Sequence, residues 1–433
     1  MRFKDLKTKI SASKACIGVV GLGYVGLPLA VEFAKAGFHT TGFEVDAEKV
    51  KSISRGSSYI ADVKTPVLKQ LVARKTLKAV TDFKYLKNMD IVIICVPTPL
   101  RKSKDPDVSY IVAAARQVQK HLQKGQLIIL ESTTYPGTTR DLVLPMLKKP
   151  GMACGSDFFL AFSPERVDPA NKTYSIRNTT KIVGGITSAC SELARLTYSN
   201  VTNNVVTVSS PEAAEMVKLL ENTFRAVNIA LVNEVALMCD KLKLDVWEII
   251  DSAATKPFGF MPFYPGPGIG GHCIPLDPQY LSWKLKTLNF YSRFIELAGE
   301  VNSKMPEYLV SKIASALNSK GISIRNARIL LVGMAYKKDV NDLRESPALD
   351  VMKLLSDNNA KLEYYDPFIP RLKFEGKTIK SASTLSDAAK YDAVVITTNH
   401  TNIDYKQLVS RARLIVDSRN ATKGIKSHKI IKL

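Results

Sequence analysis

Cys273 has the clearest claim to chemistry. It is presented by Pro265-Gly266-Pro267-Gly268-Ile269-Gly270-Gly271-His272-Cys273-Ile274-Pro275-Leu276-Asp277, a window so rich in glycine and proline that it prescribes a stiff loop of bare backbone. The main-chain N–H groups of such a loop can wrap a phosphate or a sugar. A thiol is nucleophilic only as thiolate, which a cationic neighbour favours, and adjacent His272 is one candidate for that neighbour. The competing reading is a buried inert cysteine, which is the expectation for Cys16, Cys95, Cys154, Cys190 and Cys239. Lys218 and Asn222 stand four apart, so on a helix they share a face. An ammonium beside a carboxamide can stabilise an alkoxide or a tetrahedral oxyanion, although a solvated surface pair is the commoner use of that spacing.

A second signal is Gly21-Leu22-Gly23-Tyr24-Val25-Gly26, which follows the apolar run from Ala15 to Val20 and opens a helical pattern from Leu27 to Ala36. A strand from His39 to Phe43 then ends at Glu44. Strand, glycine turn, helix and strand with a terminal acid make the dinucleotide-binding arrangement, in which Gly21 permits the turn, Gly23 admits the pyrophosphate and Gly26 lets helix and strand pack closely. The helix N-terminus offers free N–H groups to phosphate. Glu44 suits both ribose hydroxyls and repels a 2′-phosphate, so NAD is favoured over NADP. Strands at Asp90 to Val96 and Gln126 to Glu131 end in loops that place Thr98 and Thr134 beside the nicotinamide; both residues also suit ordinary turns.

These groups need a scaffold, and the 433 residues suffice for two or three domains. An apolar 3-4 spacing predicts one long helix from Pro211 to about Leu242, with further helix at Val246 to Ala254 and Gln279 to Ser319. The last region repeats the first, with strands at Arg328 to Val332, Lys361 to Tyr365, Asp392 to Thr398 and Arg413 to Asp417, and a helix from Pro347. The expected fold is α/β: two Rossmann-like doubly wound domains, residues 1–208 and 319–433, joined by a central helical dimerisation domain, 209–318, that carries the cysteine loop. The second Rossmann-like domain lacks the glycine fingerprint, and its loop from Lys337 to Arg344 supplies cations for phosphates or simply carries surface charge.

The net charge of +21 raises a polyanion as partner, but it divides as +14 over residues 1–210, −3 over 211–310 and +10 over 311–433, with no block of like charge. A solvated surface accounts for it, and no nucleic-acid partner is expected. No apolar run is long enough for a membrane span, the first fourteen residues contain no hydrophobic segment, and the cysteines lack paired spacing, so a cytoplasmic, metal-free protein is expected.

Taken together these motifs resemble the UDP-glucose/UDP-N-acetylsugar 6-dehydrogenase family over nearly the whole chain. The resemblance is carried by Gly21 to Gly26, Glu131 to Pro136, Ser163-Pro164-Glu165-Arg166, Lys218 with Asn222, Gly270-Gly271-His272-Cys273 with Asp277, and Lys337 to Pro347. It implies a four-electron, NAD-dependent oxidation of a sugar C6 alcohol to a carboxylate. It also implies that Cys273 forms a thiohemiacetal and then a thioester, with Lys218 and Asn222 stabilising oxyanions, Asp277 beside the thiol, and Thr134 and Glu165 placing water or acting as base. Glu165, Arg166, Val167, Lys218, Asn222, Tyr264, Gly270 and Lys337 would contact substrate, and Arg344 would reach the cofactor. Three departures from members acting on UDP-glucose stand out: His272 stands before the cysteine and Leu276 three after it, Pro169 preceded by Asp168 replaces a second acid, and the usual substrate-loop arginine has no clear match, with Lys256 near Phe258-Gly259-Phe260 the one candidate stand-in. With Phe263 to Gly268 they resemble the branch for UDP-N-acetylglucosamine, leaving the C2 epimer UDP-N-acetylmannosamine open.

Overall fold

The structure is a computed structural model and describes residues 2–60, 62–101, 105–166 and 173–433. Val167, Asp168 and Pro169 lie outside the described residues. The chain folds as two compact units, residues 1–221 with 279–289, and residues 222–278 with 290–433.

The first unit is built on strands Ile17–Val20 (β1), Thr40–Phe43 (β2), Leu77–Val80 (β3), Ile91–Ile94 (β4), Leu127–Leu130 (β5), Phe159–Phe162 (β6), Lys181–Gly185 (β7) and Val205–Thr207 (β8). They form one sheet in the order β3-β2-β1-β4-β5-β6-β7-β8. The first six run parallel, β7 pairs antiparallel to β6, and β8 is parallel to β7. The central strands are apolar on both faces because helices cover both. Ile17, Val19, Ile91 and Ile93 pack with the helix Gly26–Lys35, while Val20, Val92, Ile94 and Ile128 pack with Ser109–His121. Strand order reverses between β1 and β4, and the glycine turn leaves from β1 at that point, where doubly wound sheets bind ligands.

The second unit holds Arg328–Val332 (β9), Lys361–Tyr365 (β10), Arg371–Phe374 (β11), Lys377–Lys380 (β12), Ala393–Ile396 (β13), Ile415–Asp417 (β14) and Ile430–Lys432 (β15). Five of these make a parallel sheet in the order β10-β9-β13-β14-β15, again with a reversal beside its first strand. The hairpin β11–β12 was not expected; Glu375 and Gly376 both take left-handed φ (48° and 77°), as a two-residue hairpin turn requires.

The long helix runs from Pro211 to Leu242, as its spacing predicts, and Val246–Ala253 follows, capped by Asp245. The stretch expected as continuous helix from Gln279 to Ser319 is instead two helices, Asp277–Lys286 and Arg293–Asn318. Asn289 between them adopts φ 56°, a left-handed conformation that asparagine tolerates and that ends a helical run.

Candidate active site

In the first unit the glycine turn is fixed by close approach. Gly21 has φ 90°, and a Cβ there would lie 2.7 Å from the Cys95 carbonyl oxygen; a Cβ on Gly26 would fall 1.8 Å from the Gly21 oxygen. Gly23 differs, since a Cβ there meets nothing within 4 Å. That opening lies at the start of the helix Gly26–Lys35, whose N-cap Val25 supplies no side-chain acceptor; Leu27 N donates to the Gly23 carbonyl at 3.1 Å and Pro28 has no N–H, so what the helix offers an anion is chiefly the positive end of its dipole. Tyr24 beside it is half exposed. Glu44 is buried, accepting from Leu22 N at 3.0 Å through one oxygen and from Val45 N at 2.8 Å and Asp46 N at 3.2 Å through the other. The acid that follows β2 is thereby anchored to the glycine turn, and the open cradle suits a dinucleotide diphosphate.

Thr98 and Thr134 are both buried in the loops that follow β4 and β5. The Thr98 carbonyl accepts from the Tyr280 hydroxyl at 2.9 Å, and Thr134 Oγ1 lies 2.6 Å from Thr138 Oγ1. Glu165 is buried too, and Lys218 Nζ donates to its carbonyl oxygen at 2.6 Å. Arg166 turns away from that contact, donating to the Thr180 carbonyl and to Glu221 Oε1 at 2.6 Å.

In the second unit Asn222, one helical turn after Lys218, donates through Nδ2 to Asp277 Oδ2. The Cys273 carbonyl accepts from Leu276 N at 3.1 Å and Asp277 N at 2.8 Å, so the thiol sits on a tight turn that starts the following helix. Cys273 is the exposed cysteine, whereas the other five are buried or half-buried. The bare backbone before it is needed for contact. Gly270 and Gly271 lie against Tyr336, where a Cβ on either would fall 2.7 Å from the ring or its Cβ, and Gly271 N donates to the Arg344 carbonyl at 3.0 Å. His272 does not supply the cation the thiolate would want. Burial, then the Arg344 charge, holds its imidazole below the usual histidine range and therefore neutral.

Arg344 forks onto Asp342 of its own loop, with Nη2 2.6 Å from Oδ2, and Lys337 is half-buried in the same loop. Tyr264 donates to Asp251 Oδ1 at 2.8 Å and stacks on Trp247. Among the described residues no group of three His, Cys, Asp or Glu side chains could hold a metal ion, and no helix is long and apolar enough to cross a membrane.

Several buried polar groups escaped the sequence reading. Lys181 on β7 contacts Glu131, and Tyr198 donates to the same carboxyl. The only sign in the sequence was a lysine opening an otherwise apolar strand. Glu215 accepts from Gly137 N and Thr139 N and so fixes the turn after Thr134. In the second unit Arg419 lies against Gly266, with Nε donating to the Thr397 carbonyl at 3.1 Å and no carboxylate partner among the described residues. Desolvation pulls its guanidinium down to about 10, and a half-buried cation with a carbonyl but no carboxylate beside it suits an anionic ligand.

Comparison with known proteins matches the chain to three consecutive models of the UDP-glucose/GDP-mannose dehydrogenase family: the NAD binding domain over residues 15–202, the central domain over 212–304 and the UDP binding domain over 330–424. A UDP-N-acetyl-D-glucosamine 6-dehydrogenase of Pseudomonas aeruginosa is 35% identical over 368 residues, 84% of each chain. A UDP-N-acetyl-D-mannosamine dehydrogenase of Pyrococcus horikoshii is 34% identical over 413 residues, 94% of this chain and 96% of that one. A solved UDP-D-ManNAc dehydrogenase structure from Pyrococcus horikoshii superimposes with TM-score 0.87 at 32% identity, covering 96% of this chain and 98% of the other.

Proposed function

The chain belongs to the UDP-glucose/GDP-mannose dehydrogenase family of NAD-dependent UDP-sugar oxidoreductases, and on that premise we propose that it oxidises the C6 alcohol of UDP-N-acetylglucosamine to the uronate for a surface polysaccharide. The observation that carries the four-electron chemistry is the exposed Cys273 on a turn whose next polar side chain, Asp277, is held by Asn222.

NAD, held by the Gly21 to Gly26 turn and Glu44, supplies a hydride acceptor when bound. The protein's own groups make the second oxidation possible. An aldehyde is a poor hydride donor until a nucleophile adds, so the Cys273 sulfur bonds to C6 and creates an sp³ centre with a C–H to give up. Lys218 and Asn222 donate to the oxygen that gains charge as the sulfur adds. Water then hydrolyses the resulting thioester, placed by Thr134 and activated by Glu165. Arg166, Val167, Tyr264, Gly270 and Lys337 serve substrate binding, and Arg344 serves cofactor binding. A division into 1–208, 209–318 and 319–433, a homodimer or higher oligomer and a cytoplasmic location complete the reading.

His272 and Leu276 around the thiol, Asp168-Pro169, Lys256 and the run Phe263 to Gly268 support the N-acetylglucosamine branch over UDP-glucose and leave the C2 epimer open. The mannosamine epimer is the second reading, supported by the similarity to the Pyrococcus protein. NADH formed per sugar consumed, measured separately with UDP-N-acetylglucosamine, UDP-N-acetylmannosamine and UDP-glucose, tests both. Two NADH with the first sugar is expected; two NADH with only another sugar reassigns the substrate, and one NADH with every sugar removes the thioester route. Cys273→Ser should abolish uronate while NAD still binds, and uronate made at the wild-type rate would end the covalent mechanism.

A further inference from the structure

The loop that carries Cys273 begins with Pro265-Gly266-Pro267-Gly268, and all four residues are buried. Proline has no N–H, so between the two prolines Gly266 carries the one backbone donor, and a donor buried away from water needs a partner. It finds one on the long helix Pro211–Leu242, where Asn233 Oδ1 accepts from Gly266 N at 3.0 Å. Asn233 Nδ2 in turn donates to Asn302 Oδ1 at 2.8 Å, and Asn302 Nδ2 donates to the Ala226 carbonyl at 3.1 Å. Asn233 is 0% exposed and Asn302 8%.

The direction of this relay is fixed at both ends. An N–H only donates and a carbonyl only accepts, so Asn233 must turn its oxygen to Gly266 and Asn302 its nitrogen to Ala226. Two buried carboxamides cost stability unless their groups are paired, and here the last partner belongs not to a helix but to the loop. What the tether sets is a distance. Gly266 lies against the Arg419 guanidinium, where a Cβ would fall 2.3 Å from Nη1. Farther along, Gly268 lies against Pro347 and Gly270 against Tyr336, so the later part of the loop is held by close packing and its start by a directed bond.

We propose that Asn233 is a positioning residue for the Cys273 loop, its side-chain oxygen holding Gly266, and with it the segment 265–268, against Arg419 before the sugar nucleotide arrives. This rests on the reading above that the loop receives the sugar nucleotide. A loop already in place spares the substrate the cost of ordering it. Without the tether only a fraction of the molecules presents the binding arrangement, and the apparent affinity falls by that fraction. Once substrate has drawn the loop into place, Cys273, Lys218 and Asn222 act as before, so the loss falls on KM more than on kcat.

The test starts with the full wild-type chain making two NADH per sugar nucleotide; failure there defeats the proposed function and leaves the tether to the exchange measurement below. Asn233→Leu removes the acceptor, and KM for the sugar nucleotide should rise about tenfold, with kcat changed less than about threefold and the Kd for NAD unchanged. Asn233→Ala, equally without an acceptor, takes its place should the leucine variant not fold. Asn233→Asp keeps an oxygen for Gly266 N in either protonation state and should bring KM back to within about threefold of wild type. A merely structural loss would lower the amount of active enzyme, and so kcat, at unchanged KM in every variant. Hydrogen–deuterium exchange resolved at the Gly266 amide reads the tether directly and, on wild type, needs no variant to fold. Slow exchange is expected in wild type and Asn233→Asp, and exchange at least about tenfold faster in Asn233→Leu. The proposal is overturned by a wild-type Gly266 amide that exchanges like an unstructured peptide, by a KM that Asn233→Leu leaves in place, or by one that Asn233→Asp raises as far.

Discussion

Glu215 shows how one side chain three residues before Lys218 governs a loop far from it in sequence. Its carboxyl accepts from Gly137 N at 2.7 Å, Thr139 N at 2.9 Å and the Thr139 hydroxyl at 2.6 Å. These donors favour the ionised form, yet burial outweighs them and pushes the group from 4.5 up to about 7. A carboxyl whose folded pKa lies above its unfolded value binds its proton more tightly in the folded state. Its contribution to stability is therefore full below the unfolded value and falls as pH rises through the folded one. Across that window the change is on the order of 3 kcal/mol. Glu215→Gln, which cannot ionise, should make the melting temperature flatter than wild type between the two values. The other carboxyls titrate in both proteins, so the difference isolates Glu215, and parallel melting profiles would show that its proton is not linked to folding. The same residue marks what sequence reading cannot reach. Cys273 announces itself by its glycine-rich loop, and Lys218, Asn222 and Asp277 stand out once the family resemblance is added to their spacing, whereas Glu215, Lys181 and Tyr198 matter through partners dozens of residues away, which no local pattern marks.

At the level of elements, the parts whose signal is local were readable and the parts set by tertiary contact were not. β9 and β10 fall on the residues that their apolar runs mark, and the long helix begins and ends where its 3-4 spacing does. The other strands are shorter than expected at one or both ends, because hydrogen-bonded pairing with a neighbouring strand sets the ends and an apolar run continues past them. The hairpin at Arg371 to Lys380 was missed since its strands, half charged, look like a solvated loop. The glycine turn allows the two roles of glycine to be separated by experiment. Gly26→Ala places a Cβ 1.8 Å from a backbone oxygen that cannot move without opening the turn, so it should cost about 3 kcal/mol of folding stability and lower the melting temperature. Gly23→Ala meets no protein atom within 4 Å, so the melting temperature should hold while the Kd for NAD rises about tenfold or more, the methyl intruding on the space for the diphosphate. Equal thermal losses in the two variants would mean that Gly23 serves the turn and not the cofactor.

For the whole molecule, the second unit presents an apolar seam that is left about half exposed, although Phe224 at one end packs edge-on against Phe263. Phe224, Leu231 and Met238 are 47%, 54% and 50% exposed and recur every seven residues along one helix, which keeps them on one face. The buried side of the same helix, with Val232, Ala236 and Cys239, packs on Val246, Trp247 and Ile250, so the exposed seam is not required to hold the unit together. Apolar side chains in register on a long helix mark an association surface, and a second copy of the helix offers a self-complementary partner across a twofold axis. The net charge of +21 would repel a second copy, but the helix belongs to the stretch 211–310 that carries −3, where repulsion is least. Leu231→Asp would set two carboxylates near the axis, without their water, and should weaken self-association at least roughly hundredfold. Sedimentation velocity should then show wild type at twice the chain mass and the variant at the chain mass, with melting unchanged at protein concentrations where both are monomeric. Added salt should leave the wild-type dimer intact, because apolar burial and not ion pairing would hold it. A variant that sediments as a dimer, or a wild type that salt dissociates, would move the interface off this helix.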